Sequence, residues 1–498
     1  VRQVGSMIDY KFSKKCISRT AHWSLTIPTV IAEELFSHIF QGDQDEHGAI
    51  IKAGISYEPN GMRLLAREVV TAQDGVDYVP GKYGYRMLKA EFVTKHAIAC
   101  RNEKLVYLAV HNHGGKDFVE FSRTDLASQQ RGYPALLDVM SGRPVGALVF
   151  AKNAVAGRLW LSVNEQIELE SARLVGPSVR YLFPRPRRKV SVNAKITYDR
   201  QARIFGDRGQ EILSSLKVGI IGAGGVGSLL VEYLARLGVG NFVIVDPDRL
   251  DITNLSRVTG ATRFDAMVFL TRNNRPEWIR KIGKSLSAPK VKIMNRIIKR
   301  ANNSANVEII KGDFVDDSVA RRFTNCDYLF LAADSAQARL VFNAIVYGYL
   351  IPGVQVGTKV DIDKHSGSIE NVFTVSRPVT PMGGCLWCNG LIPTTQLQKE
   401  AENKKERSAQ RYVDEENVVS PSVITLNATA TGQAVNDFLF SMLGLSHEMA
   451  NSDYYRNMPR CRKVIFDEPR SDDKCPFCSI DKRSMFARGD MCELPTRC

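Results

Sequence analysis

A chain of 498 residues, 44% apolar and 24% charged, is long enough for two or three domains with cores of their own. Its 67 lysines and arginines exceed its 53 acidic residues, and the resulting formal charge of +14 permits an acidic protein or nucleic-acid partner without selecting either. No apolar run has the length of a membrane span and nothing near the start has the form of a signal peptide, so no membrane partner is expected and a reducing, cytoplasmic location is the default.

The opening VRQVGSM reads as a vector remnant ahead of Met7 and is set aside. From there to about residue 165 the pattern is mixed α/β. ELFSHIF has the spacing of the end of an amphipathic helix, and AIIKAGI, LVYLAVH and VGALVFA read as buried strands. The stretch SARLVGPSVRYLFPRPRRKVSVN, broken by prolines and rich in charge, reads as a connector, placing the boundaries at 8–165, 166–195 and 196–480. Its basic run PRPRRK carries no aromatic residues and reads as a solvated linker, so nucleic acid is not expected as a partner. Beyond it, KVGIIGAG, NFVIVD and DYLFLAAD are short apolar runs closing on Gly or Asp, with helical stretches between them. That alternation predicts a mainly parallel sheet covered by helices. QLQKEAENKKERSAQRYVDEEN is charged throughout and reads as an exposed helix or loop, and 481–498 reads as a tail.

Three groups of residues carry chemistry. In HNHGGKDFVEFSRTD, His111 and His113 stand two apart on an extended segment and can share one cation, with Asp125 as a third ligand and Glu46 as a nearby base. Further on, Gly222, Gly224, Gly225 and Gly227 follow a strand, as a turn does when backbone N–H groups must approach phosphate. Asp246 ends the next strand, where a carboxylate can take ribose hydroxyls. Finally, Cys385-x-x-Cys388 and Cys475-x-x-Cys478 have the spacing of a four-thiolate zinc site.

The first group resembles the JAMM metalloprotease signature, whose members cleave bonds after ubiquitin-like proteins. The resemblance implies zinc on His111, His113 and Asp125, Glu46 as general acid/base, and Ser122 as an oxyanion donor. Two departures stand out: Gly114 replaces the usual proline, and the gap to the serine is one residue longer, enough to displace Ser122 and Asp125. The second group, with DITNLSR and LAADSAQAR, resembles the ThiF/MoeB superfamily, which includes the ubiquitin-activating enzymes, from about Tyr198 to Cys478. That resemblance implies a Rossmann-like adenylation domain using ATP and Mg2+. Asp246 would bind ribose, Asn254, Arg257 and Lys290 would contact phosphates, and Asp334 would serve the metal. Arg200, in DRQARIFG, would reach the ATP site of a second copy, implying a homodimer.

Together the resemblances imply activation of the C-terminal carboxylate of a ubiquitin-like protein as an acyl-adenylate, with a fused domain that trims or deconjugates it. A sulfur-carrier protein is the alternative substrate, and docking alone is the alternative role for the first domain. A conjugating enzyme or a sulfur donor would follow as partner, in a bacterial pathway of a kind sometimes linked to phage defence. The crossover stretch near 394–420, ahead of Pro421, contains no cysteine. Direct transfer of the acyl group, an oxyester on Ser408, Ser420 or Ser422, or a remote thiol at Cys461, Cys492 or Cys498 therefore stay open.

Overall fold

The structure, a computed structural model, describes residues 22–43, 45–59, 61–80, 86–186, 196–363, 366, 368–381, 383–401, 421–446 and 453–497. Of the residues weighed above, Ser408, Ser420, Cys498 and Arg187–Lys189 lie outside these, as does most of the crossover stretch.

The first half is built on an eight-stranded mixed sheet: β1 (His22–Pro28), β2 (Gly48–Glu58), β3 (Gly61–Thr71), β4 (Val106–Asn112), β5 (Val145–Ala151), β6 (Ala154–Ser162), β7 (Glu165–Val175) and β8 (Arg180–Leu182). Their order is β1-β3-β2-β4-β5-β6-β7-β8, and β1 also pairs with β7, so seven strands close on themselves and leave β8 outside the ring. Three helices pack on this sheet: α1 (Thr29–Ile39), α2 (Ala90–Glu103) and α3 (Arg123–Val139).

The expected connector is corrected here, because 166–182 is not a linker. EQIELESARLV alternates apolar and polar residues at its start and pairs with β1 and β6. Its alternation, rather than the prolines that follow, decides its conformation.

The second half has the doubly wound character expected of it. Helix α4 (Asp199–Ser215), kinked at Gly206, leads into β9 (Lys217–Ile221), α5 (Gly225–Leu237) and β10 (Asn241–Val245). Short α6 (Val268–Thr271), α7 (Glu277–Leu286) and α8 (Lys290–Ala301) precede β11 (Asn306–Ile310). Then come α9 (Asp317–Ala320), β12 (Tyr328–Leu331), α10 (Ala336–Tyr349), and the long hairpin β13 (Gly353–Ile362) and β14 (Ile369–Val379). The chain ends with α11 (Thr394–Ala401), α12 (Ile424–Met442), β15 (Tyr454–Met458) and β16 (Lys463–Asp467). Strand order is β11-β10-β9-β12-β13-β14-β15-β16, parallel through β13 and antiparallel beyond.

The halves are joined by more than the chain between them. Arg173 of β7 donates to Asp327 at 2.9 Å, and Asp327 in turn accepts from the backbone of Lys217 at 2.9 Å. Residues 486–490 run between the sheets: Ala487 N–H bonds Tyr347 O at 2.9 Å and Asp490 N–H bonds Ile55 O at 2.8 Å. Gly54 permits this approach, since a methyl there would lie 2.0 Å from Ala487 O. Arg67 of β3, fully buried, donates to the carbonyls of Phe486, Asp481 and Ile480 and to Ser484 Oγ. One apolar core accordingly runs from Trp23 and Leu64 through Val341 and Phe342 to Phe486.

Candidate active sites

In the first half, β2 and β4 pair with Gly48 opposite His111, bringing the turn that carries Glu46 beside the histidines. Asn112, between them, fixes this turn by accepting from the backbone N–H of His47 at 2.6 Å. Ser122 caps α3 and Asp125 sits in its first turn. The serine hydroxyl donates to Asp125 Oδ2 at 2.7 Å and accepts from Asp125 N–H at 3.1 Å. Its proton is thus committed to Asp125.

The extra residue in the gap is taken up by the loop 114–121, which bends at Gly115 with φ +115°, and the carboxylate still reaches the histidines. His111 Nε2 lies 3.5 Å from Asp125 Oδ1, and His113 Nε2 lies 3.3 Å from Oδ2. Tetrahedral zinc with bonds of ~2.0–2.1 Å sets neighbouring ligand atoms about 3.3–3.4 Å apart; each histidine stands near that spacing from one oxygen of the carboxylate, and the ligand atoms of the three residues lie within 4.8 Å of one another, close enough to share one ion. His111 Nε2 is moreover buried and has no hydrogen-bond partner, an orphan that a metal would satisfy. Glu46 Oε1 stands 3.5 Å from His113 Nε2, and burial raises its pKa against the opposing pull of His111 and His113. Asp125 is the reverse case: burial pushes its carboxyl up, but His111, His113 and Ser122 outweigh that and hold it well below the usual range.

In the second half the glycine turn closes β9 and opens α5. Gly222 takes φ +99°, and its Cα faces the β12 end at Ala332–Ala333. Gly227 is forced by contact, since a methyl there would meet Gly222 O at 2.0 Å. Gly224 has nothing within 4 Å of the same position, so its open side is available to a ligand. Asp246 Oδ2 accepts from Ala223 N–H at 2.7 Å and Oδ1 from Asp248 N–H at 2.9 Å, bracing the turn against the end of β10. Each oxygen keeps a lone pair for a ribose hydroxyl. Burial raises the pKa of Asp246, with Lys290 opposing.

Lys290, the first residue of α8, reaches Asp248 at 2.7 Å and Asp246 at 3.9 Å. Arg257 lies along the turn, its Cβ and Cδ each 3.4 Å from a methyl built on Gly225. Asn254 is buried and caps its own 3₁₀ turn by accepting from Asp251 N–H at 3.0 Å. Asp334 is exposed just past β12 and ahead of the α10 cap, Ser335. A single carboxylate could serve magnesium, which takes most of its oxygens from substrate and water. Arg200 is exposed in the first turn of α4.

The Gly222 turn with Asp246, Lys290, Arg257 and Asp334 surrounds the C-terminal ends of β9, β10 and β12. The family described as "ThiF family" matches residues 198–477. This chain belongs to the ThiF family. Among ThiF-type relatives it is similar to tRNA threonylcarbamoyladenosine dehydratase of Bacillus subtilis, 30% identical over 139 residues that cover 28% of this chain and 47% of that protein. Molybdopterin-synthase adenylyltransferase of Salmonella typhimurium is 26% identical over 166 residues, 33% of this chain and 59% of that one. The chain spans about half the length of these curated relatives. Among solved structures, E. coli MccB with ATP is 17% identical with a TM-score of 0.40, over 57% of this chain and 74% of that one.

At the end of the ThiF match the two cysteine pairs come together. Cys385 Sγ lies 3.4 Å from Cys388 Sγ and 3.7 Å from Cys475 Sγ, and Cys388 Sγ lies 3.7 Å from Cys478 Sγ. A tetrahedron of ~2.3 Å zinc–sulfur bonds has edges of about 3.8 Å, so the four thiols fit a closed structural site. Of the groups considered for carrying an acyl chain, Cys492 is buried with its thiol pushed up to about 12 by desolvation, and Cys461 is exposed. Ser422 Oγ receives a hydrogen bond from the Asn427 amide at 3.2 Å, which occupies the oxygen without activating it.

Sequence reading passed over several residues: Asn112, Asp248 and Asn427, and Glu400, which accepts from Ala336 and Gln337 N–H at 3.0 and 2.9 Å at the start of α10. Only Asp248 had a local signal, two residues from Asp246 in the same post-strand loop.

Proposed function

We propose that the chain uses ATP to adenylate the C-terminal carboxylate of a ubiquitin-like protein, and that the first domain is a JAMM-type zinc peptidase that trims or deconjugates the same protein. The observation that carries the reading is the coexistence of two sites in one chain: a glycine turn braced by Asp246 with Lys290 beside it, and a His111–His113–Asp125 triplet at zinc-ligand spacing with Glu46 next to it. Both chemistries have a use for one substrate end, since hydrolysis exposes the carboxylate that adenylation consumes. Fusion raises the effective concentration of one site near the other.

In the adenylation step a carboxylate oxygen attacks the α-phosphorus and pyrophosphate leaves. Lys290 and Arg257 neutralise charge that develops on the phosphates, Asp246 holds the ribose, and Asp334 serves magnesium. Arg200 acts on the nucleotide of a second copy, as in a homodimer. A protein substrate accords with the molybdopterin-synthase adenylyltransferase relative, which is named for acting on one. A sulfur-carrier protein is the second reading, distinguished by a thiocarboxylate product in place of a protein-linked one.

In the first domain, zinc on His111, His113 and Asp125 would supply a Lewis acid and lower the pKa of a bound water. Glu46, whose carboxyl burial raises above its ordinary value, takes and returns the proton at Oε1. Without a cysteine in the crossover stretch, the acyl group passes directly from the adenylate to the acceptor.

The test is elemental analysis of zinc in the wild type, His113→Ala and Cys388→Ser. Two ions per chain, with one lost in each variant, support the reading. A single ion that His113→Ala leaves in place would reduce the first domain to a docking module.

A further inference from the structure

The nucleotide turn has a support on its protein side that none of the phosphate-contacting residues supplies. Asn427, in the first turns of α12, is 2% exposed. Its Oδ1 accepts from Thr358 Oγ1 of β13 at 3.2 Å, and its Nδ2 donates to Ser422 Oγ at 3.2 Å. The same Nδ2 would stand 2.4 Å from a methyl on Gly225, so the amide lies in direct contact with the glycine Cα. On that same methyl position Arg257 closes to 3.4 Å. Gly225 opens α5, whose first N–H groups would face the phosphates. It is therefore wedged between a candidate phosphate ligand and a buried amide tied to β13 and to the residues just ahead of its own helix.

We infer that Asn427 is a positioning residue for the phosphate-binding turn: oriented by Thr358 and Ser422, its amide fixes Gly225, and through it the N–H groups of the first turn of α5. The inference rests on the adenylation reading and adds a residue to it. Packing alone does not account for the choice of side chain. A buried amide is unfavourable unless bonded, and an aliphatic residue would fill the space between α12 and β13 without that requirement. Asparagine supplies what an aliphatic side chain cannot, a planar group whose rotation is set from both sides while its edge meets a residue without a Cβ. The adenosine end of the pocket, at Asp246 and the end of β10, meets the turn at Ala223 N–H and shares none of the Asn427 bonds. Loss of Asn427 should therefore separate recognition of phosphate from recognition of the nucleoside.

The experiment is calorimetric titration of the full chain with Mg-ATP and, separately, with adenosine, for the wild type, Asn427→Ala, Asn427→Asp and Thr358→Val. Asn427→Ala is expected to weaken ATP about tenfold, the equivalent of one hydrogen bond's net contribution, and to leave adenosine unchanged. Asn427→Asp keeps shape and the acceptor for Thr358 but puts a carboxylate against the turn, so ATP should weaken further than with alanine while adenosine again holds. Thr358→Val, which preserves the buried volume, should weaken ATP alone by a few-fold even where Asn427→Ala folds poorly. Equal losses for both ligands would assign Asn427 to general packing and overturn the inference, as would unchanged ATP affinity. A wild-type chain that binds neither ligand would remove the adenylation reading and the inference together, whereas wild-type binding with equal variant losses removes the inference alone.

Discussion

Gly224→Ala and Gly227→Ala, three residues apart around one turn, should have opposite consequences. At Gly227 the added methyl would lie 2.0 Å from Gly222 O and 3.0 Å from Gly222 C, whereas non-bonded atoms sit best about 3.5–4.0 Å apart. The obstacle is backbone, so no side chain can rotate away, and relief requires opening the turn. Overpacking costs about 1–3 kcal/mol where side chains absorb it, and the upper end or beyond is expected here. At Gly224 the methyl meets nothing within 4 Å, and the backbone is extended at φ −82°. Alanine there is tolerated by the fold and gains about 0.4–1 kcal/mol from a less flexible unfolded chain. It nevertheless points into the space left for a ligand. Displacing a phosphate from one charge-assisted N–H bond costs about 1.5–3 kcal/mol, or roughly 10- to 150-fold in ATP affinity. Thermal unfolding and ATP titration on both variants separate the two effects. Gly227→Ala should lower the melting temperature, while Gly224→Ala should keep it and lose ATP. Wild-type ATP affinity in Gly224→Ala would refute the assignment of this turn to phosphate.

Arg67→Met should cost about 2–4 kcal/mol, because several carbonyls lose a charged donor while the desolvation of the guanidinium is recovered. The signature would be early proteolytic release of the segment after Cys478, and an uncleaved segment would contradict the role given to Arg67. Asp265, held down to about 2 from 3.8 by Arg296, contributes stability that is complete above pH 4 and is lost as pH falls toward 2. With screening, that amounts to on the order of 1–2 kcal/mol. Denaturation midpoints of wild type and Asp265→Asn should converge over this window and run parallel above it. Iodoacetamide should label Cys461 on the native chain, while Cys100, Cys326 and Cys492, buried and each pushed up to about 12, should react only after unfolding. Equal labelling of Cys492, read by mass spectrometry, would reopen it as an acyl carrier.

Local signals made the second half legible. KVGII and NFVIV are the strands β9 and β10, DYLFL contains the whole of β12, and the glycines between the first strand and α5 carry their constraint in the sequence itself. The His111–Asp125 group was also readable, although the longer gap argued against it. What the spacing could not reveal is that the loop 114–121, with Gly115 at φ +115°, still leaves Asp125 beside the histidines. β7 went unrecognised because its partner β1 is remote in sequence and the prolines after it suggested a connector. Asn427 was invisible for a different reason. A lone asparagine near a helix start is ordinary, and only the approach of Gly225, some two hundred residues earlier, makes it notable.

The clasp formed by the C-terminal segment has a consequence for synthesis. Arg67 leaves the ribosome early, but its acceptor at Asp481 follows 414 residues later and that at Phe486 follows 419 residues later. At about 5–20 residues per second, the guanidinium waits roughly 20–80 s for them. During that interval the first sheet can fold as a nascent unit only with this flank hydrated and the Gly54 groove open. The order of synthesis therefore makes residues 481–490, produced some four hundred positions after Arg67, the ones that lock the first domain onto the second, and a chain stopped just after Cys478 would keep its second cysteine pair while never completing that lock.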